Sequence, residues 1–176
     1  MQRIAIIGSP GAGKSTLARQ LGRVLAVKAV HLDTVFWKPN WDDVPKAVWT
    51  QTLGELLNRE QWILDGNHSE AVDCYLAAAD TIVFIDLHRT ICVFRMVRRF
   101  IQYRKCGRPD LPEYDEVFDW DVLKGIWMYP IVERPLVLLK LNQYTKGRTV
   151  YRLRTQADIQ HFLQEVKEAK SEHINR

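Results

Sequence analysis

Gly8-Ser9-Pro10-Gly11-Ala12-Gly13-Lys14-Ser15, with Thr16 behind it, is the stretch whose reading decides the fold. It has the form glycine, four residues, Gly-Lys-Ser, and each fixed position has a chemical reason. The glycines let backbone N–H groups turn inward and approach phosphate oxygens with no Cβ in the way. A helix beginning near Lys14 points its positive end at the anion. Lys14 reaches for the β- and γ-phosphates, and Ser15 offers its hydroxyl to Mg²⁺. Gly8, Gly11, Ala12, Gly13, Lys14, Ser15 and Thr16 are therefore the expected nucleotide-binding residues, with ATP and Mg²⁺ as ligands.

Working outward, Arg3 to Ile7 is a short apolar, β-branched run that stops at Gly8, as a buried strand does. Lys14 to Ala26 has Leu17, Leu21 and Leu25 at helical spacing, which gives one apolar stripe. Further strands are expected at Val27 to Leu32, Trp62 to Leu64, Thr81 to Ile85 and Thr149 to Leu153. Helices are expected at Pro45 to Arg59, Ser69 to Ala79, Arg89 to Lys105 and Gln156 to Val166. Between Gly107 and Asp119 lies a Pro- and acid-rich loop, followed by helical stretches interrupted at Pro130 and Pro135. Apolar strands alternating with helices predict an α/β fold, a parallel sheet covered on both faces. No repeat or linker divides the chain, so residues 1–176 are expected to form one domain.

The bulk composition excludes several classes. A hydrophobic fraction of 47% and a charged fraction of 26% over 176 residues are those of an ordinary globular protein. Only the polar tail from Lys167 to Arg176 suggests disorder. No apolar run approaches the roughly 20 residues that cross a bilayer, and Ile4 to Ile7 is too short for a signal peptide. Cys74, Cys92 and Cys106 form no CxxC pair, which predicts a reducing, cytoplasmic setting. Net charge is only +4, yet Leu87 to Pro109 holds seven basic residues and no acid, while the rest of the chain carries 18 basic against 21 acidic. The positive charge is a local device, suited to a polyphosphate or to nucleic acid.

Two acids stand where ligands bind in such sheets, beyond the carboxyl ends of strands. Asp65 ends the run Trp62-Ile63-Leu64 and is the candidate for holding Mg²⁺ or its waters. Asp33 follows His31-Leu32 and is placed to take the proton of an acceptor hydroxyl or to orient the metal shell. Both acids also suit the caps of the elements that follow them. In the arginine segment, Arg95 and Arg99 are four apart and share a helix face, with Arg89 and Arg98 off that line. Arg108 lies in the loop beside Pro109, where closure would bring it over the phosphates. Arginines of a lid stabilise the charge on a γ-phosphoryl in transfer; a solvated basic face is the plainer alternative. Phe36, Trp37, Trp41 and Trp49 cluster after Asp33 and are expected mainly to pack, with Trp37 or Trp41 the candidates for contacting a substrate. The histidines have no metal-ligand spacing, and none is assigned a role.

The order Gly8 to Thr16, His31-Leu32-Asp33, Trp37 and Trp41, Trp62 to Asn67, Arg108-Pro109-Asp110 and Arg134-Pro135 resembles the bacterial topology modulation (flagellar-regulation-related) P-loop proteins. Those are similar to adenylate and shikimate kinases. The resemblance implies a five-stranded sheet in the order 2-3-1-4-5, a substrate-binding helical segment after the second strand, and a helical lid over about 88–140. It further implies that Arg95 and Arg99 correspond to a lid-helix pair on the phosphates, Asp33 to an acid facing the acceptor hydroxyl, and Arg108 to a lid arginine. Adenylate kinases continue their Leu-Asp-Gly turn with an aromatic, proline and arginine; here Asn67-His68-Ser69 follows, with no arginine for a monophosphate.

Taken together, an ATP-dependent phosphotransferase acting on a small-molecule acceptor is the favoured expectation. The alternative is a nucleotide-dependent DNA-binding or DNA topology regulatory protein whose arginine helix contacts backbone phosphates. A bare ATPase lacks an identifiable residue to position water.

Overall fold

The structure is a computed structural model, and it describes residues 1–36, 44–68, 70–104 and 118–174. Strands β1 (Arg3–Gly8), β2 (Ala29–His31), β3 (Trp62–Asp65), β4 (Thr81–Ile85) and β5 (Thr149–Leu153) form one sheet in the order β2-β3-β1-β4-β5. Every pairing is parallel, with Ile6 beside Asp65 and Val83, and His31 beside Asp65. The expected architecture and strand order are both present.

The sheet is sealed by alternation. Ile4, Ile6, Ile63, Val83 and Ile85 face one core, shared with helices α1 (Lys14–Leu25), α5 (Arg89–Tyr103), α6 (Trp120–Met128) and α8 (Gln156–Ile174). Ala5, Ile7, Leu64, Ile82 and Phe84 face the other, shared with α2 (Asp33–Phe36), α3 (Lys46–Leu57), α4 (Val72–Ala78) and α7 (Glu133–Tyr144). Because successive side chains point to opposite faces, a strand buried on both sides must be apolar throughout. Each fully buried Ile or Phe contributes about 1.5–3 kcal/mol.

Local departures from the sequence expectation have local causes. β2 starts at Ala29 rather than Val27 because the end of α1 uses the intervening residues. Ala26 adopts a left-handed conformation at φ 60°, and both Ala26 and Val27 donate backbone N–H to Gly22 O. Pro135 does not interrupt a helix: it is the third residue of α7, where its missing N–H has no helical partner to lose. Pro130 does fall between α6 and α7. The polar tail is not irregular, since α8 runs on to Ile174. Val166 is buried in the first core and Lys170 donates to Val24 O at 2.6 Å, so the tail is tied back to α1. The four-residue α2 was not expected; Thr34 Oγ1 closes its start on His31 O at 2.7 Å.

At the far end of the sheet, Asp86 follows β4 with its side chain 7% exposed. It accepts from Arg134 Nε (2.8 Å) and Nη2 (3.1 Å) and from Arg152 Nε (2.9 Å) and Nη2 (2.5 Å), which joins α7 to β4 and β5. Burial works to raise its pKa, but the bonds from Arg134 and Arg152 outweigh it and hold the carboxyl below its ordinary value. Asp86→Ala strands two arginines and is expected to cost about 2–3 kcal/mol, read as a lower urea midpoint at pH 7. The folded pKa lies below the unfolded one, so the contribution is complete above about pH 4 and is lost as pH falls through the depressed value. Wild type and variant should therefore converge in stability once the pH has fallen below that depressed value.

Candidate functional site

β1 delivers the chain into the phosphate loop at Gly8, and the backbone there has no room for side chains. A Cβ on Gly8 would sit 2.5 Å from Ile85 O, and one on Gly11, whose φ is +74°, would sit 2.4 Å from Cys92 O. Only glycine meets both the conformation and the close approach. Ala12 N–H donates to Ser9 O at 3.1 Å, and Gly13, at φ 99°, leads into α1. Residues Pro10 to Leu17 line a cleft of about 860 Å³, along with Asp33, Asp65, Asn67 and His68 on one side and Arg95, Arg98 and Arg99 on the other.

Within the cleft, Lys14 curls back on the loop. Its Nζ donates to Gly8 O at 2.9 Å and Ser9 O at 3.2 Å. Burial lowers its pKa, against the pull of Asp33 and then Asp65. Asn67 meets the same carbonyl: Nδ2 donates to Gly8 O at 2.6 Å, while Gly8 N–H donates to Asn67 Oδ1 at 3.2 Å. Tyr75, fully buried under this turn, donates its hydroxyl to Gly66 O at 3.0 Å. The Gly66-Asn67 turn is thereby fixed from below and fastened to the loop from the side.

Asp65 is the most buried acid in the cleft, at 3% exposure. Ser15 Oγ donates to its Oδ2 at 2.7 Å, and His31 Nδ1 lies against its Oδ1. The hydroxyl and the carboxylate expected at a metal are thus adjacent, next to a glycine cradle that a Cβ would fill. The residues fit Mg²⁺. Among the described residues no group of three or more His, Cys, Asp or Glu is gathered as a metal cage, and Mg²⁺ needs none, since it is usually held by one or two protein ligands, phosphates and water. Asp33 stands half-buried at the start of α2 and lines the same side of the cleft.

The arginines divide. Arg95 Nη1 donates to Ala12 O at 2.9 Å and Nη2 to Gln156 Oε1 at 2.6 Å, so this side chain braces the loop against α8. Arg99 Nη2 reaches Met96 Sδ at 3.6 Å, and its charge bears on Lys14. Arg98 also lines the cleft, although it lies off the Arg95–Arg99 row. Arg89 leaves the group: it sits 4.1 Å over the Trp127 ring and donates to Trp127 O. Arg108, Trp37 and Trp41 lie outside the described residues, while Trp49 packs edge-on against Phe36 at 4.9 Å. Asn67 and Gln156, which line the cleft, and His31, which meets it through Asp65, had no role in the sequence reading. A hydrophilic residue at or just beyond the carboxyl end of a strand, as at His31 and Asn67, was the available signal.

Removing the Asn67 side chain should loosen the entry to the loop. Asn67→Ala is expected to cost about 1–2 kcal/mol of stability, and nucleotide affinity should fall with it. Denaturation and nucleotide titration of the same variant check both.

Neither protein-family models nor curated protein sequences give a match to this chain. Solved structures do. A shikimate kinase from Acinetobacter baumannii in complex with shikimate superposes with TM-score 0.56 at 18% identity, covering 98% of this chain and 94% of that one. A shikimate kinase from Bacteroides thetaiotaomicron gives 0.51 at 19%, covering 97% and 98%. A gluconokinase from Sinorhizobium meliloti gives 0.52 at 15%, covering 99% and 95%. At these identities the likeness is one of fold: the chain is built as a P-loop α/β protein of the kind seen in small-molecule kinases.

Proposed function

We propose that this protein is an ATP-dependent phosphotransferase acting on a hydroxyl of a small molecule. The observation that carries the reading is a single cleft in which Lys14, the Ser15–Asp65 pair, Asp33 and Arg95, Arg98 and Arg99 of α5 line one volume. In this reading residues 1–176 act as one domain, with about 88–140 as its lid.

Loop N–H groups and Lys14 hold the β- and γ-phosphates, Lys14 exchanging the Gly8 and Ser9 carbonyls for phosphate oxygens. Ser15 and Asp65 would hold Mg²⁺, which would supply positive charge to offset that of the phosphates. The acceptor enters beside Asp33. Its oxygen bonds to the γ-phosphorus as the bond to the β–γ bridging oxygen breaks, its proton passes to the Asp33 carboxylate, and ADP leaves. Arg99, with Arg108 from the lid, stabilises charge on the transferred group. Arg95 contributes by holding Ala12 and so shaping the loop.

The acceptor class follows from the other side of the cleft. Asn67 is bound to Gly8 where an arginine would grip a monophosphate, which supports a small hydroxylated compound over a nucleotide. The solved neighbours named shikimate kinase and gluconokinase point the same way. Membership of the topology modulation proteins, and with it a DNA-linked role, rests on sequence order alone; Arg89 on Trp127 and Arg95 on the loop leave α5 poorly arranged as a row of phosphate contacts.

ADP release from Mg-ATP, measured with pooled hydroxylated metabolites, pooled nucleoside monophosphates and duplex DNA in separate arms, tests the reading. Stimulation by the metabolite pool, absent in Lys14→Ala, is expected; stimulation by DNA alone, lost at high salt, overturns it. Arg99→Ala should lower turnover by roughly 10³-fold with little change in ATP affinity. An equal loss in both would make Arg99 a ground-state contact.

A further inference from the structure

A second cavity, of about 450 Å³, lies at the β4–β5 end of the sheet and shares no lining residue with the nucleotide cleft. Its walls come from the residues after β4 and β5 and from the turn between α6 and α7. Arg89, Arg134, Arg152 and Arg154 line it against one carboxylate, Asp86. Asp86 is committed to Arg134 and Arg152, and Arg89 rests on Trp127. Arg154 is exposed; its backbone N–H donates to Asp158 at 2.7 Å, and its charge also bears on that carboxylate.

The same cavity is lined by Ser9 and Tyr129, which are 3% and 4% exposed. Among the described residues Tyr129 Oη has no hydrogen-bond partner, and Ser9 Oγ has none beyond the weakly bonding thiol of Cys92. Buried hydroxyls are almost always satisfied, and the exceptions collect where a ligand or water belongs. Water alone would satisfy the two hydroxyls, but it gives no reason for four guanidinium groups around one acid. An anion accounts for both, accepting from hydroxyls and guanidinium N–H groups together.

We propose that this cavity is a second oxyanion site, which takes a small molecule bearing a phosphate or a carboxylate group. The site is independent of the nucleotide, and it touches the phosphate loop through Ser9. Nothing in it requires the loop to serve a kinase.

Calorimetric titration of inorganic phosphate, and in a second arm citrate, into the nucleotide-free protein tests this. The proteins compared are wild type, Lys14→Ala, Arg154→Ala and Tyr129→Phe. Lys14→Ala should keep the binding, because the site is not the phosphate loop. Arg154→Ala should weaken it by roughly 10-fold or more, as the loss of a charge-assisted bond does. Tyr129→Phe keeps the ring and should lower affinity several-fold while leaving the unfolding midpoint unchanged or raised. Binding in the phosphate arm or in the citrate arm alone identifies which oxyanion the site takes. Binding that vanishes in Lys14→Ala but survives in Arg154→Ala overturns the proposal. So does an absence of binding in both arms, or equal affinity in wild type, Arg154→Ala and Tyr129→Phe.

Discussion

The rest of the structure depends on one buried carboxylate. Asp65 ends β3 at 3% exposure, and burying a charge there is tolerable only because partners surround it. Ser15 brings the start of α1 to one oxygen and His31 brings the end of β2 to the other. Since β1 pairs with β3 beside it, one side chain fixes the relative positions of three strand ends and the helix behind the phosphate loop. The precision required of a phosphate site is thus built into the sheet, and the loop inherits it.

The loop itself is held from both sides. Lys14 and Asn67 converge on Gly8 O, and Arg95 takes Ala12 O. These contacts satisfy carbonyls that would otherwise face the cleft, and they keep an ammonium at its mouth. Burial lowers the Lys14 pKa, so the charge is held at some cost in free energy. In the proposed reading, a polyphosphate would relieve that cost by supplying a better partner than a carbonyl oxygen. Preorganisation of this kind spends less of the binding energy on ordering the site.

The basic segment proves to be three devices rather than one. Arg98 and Arg99 line the cleft beside the phosphate loop, Arg95 braces the loop, and Arg89 turns to the second cavity. On a helix, residues three and four apart share a face, while Arg89 falls beyond that row. The late arginines Arg134 and Arg152 add a separate ion cluster at Asp86, where α7 is fastened to the sheet. Guanidinium groups are thus distributed around the phosphate loop on two sides, each set with its own partners.

The sequence by itself determined the phosphate loop, the presence of five strands and the burial of β1, β3 and β4, because these rest on local chemistry. A glycine-rich turn between an apolar strand and a helix has few other uses, and a strand buried on both faces must be apolar along its length. It also placed Asp33 and Asp65 at strand ends. It left His31, Asn67 and Gln156 without roles, because each earns its place through a partner distant in sequence: Asp65, Gly8 and Arg95. Element ends shifted for similar reasons, as with α8, whose polar tail is tied back by Lys170 on Val24 O. Arg95 makes the difference plain. Its spacing from Arg99 put it on the right face of the right helix, but only the approach of α1 and α8 decided that its guanidinium holds backbone and amide oxygens. Periodicity fixes which way a side chain points; what it meets there depends on which other elements pack against it.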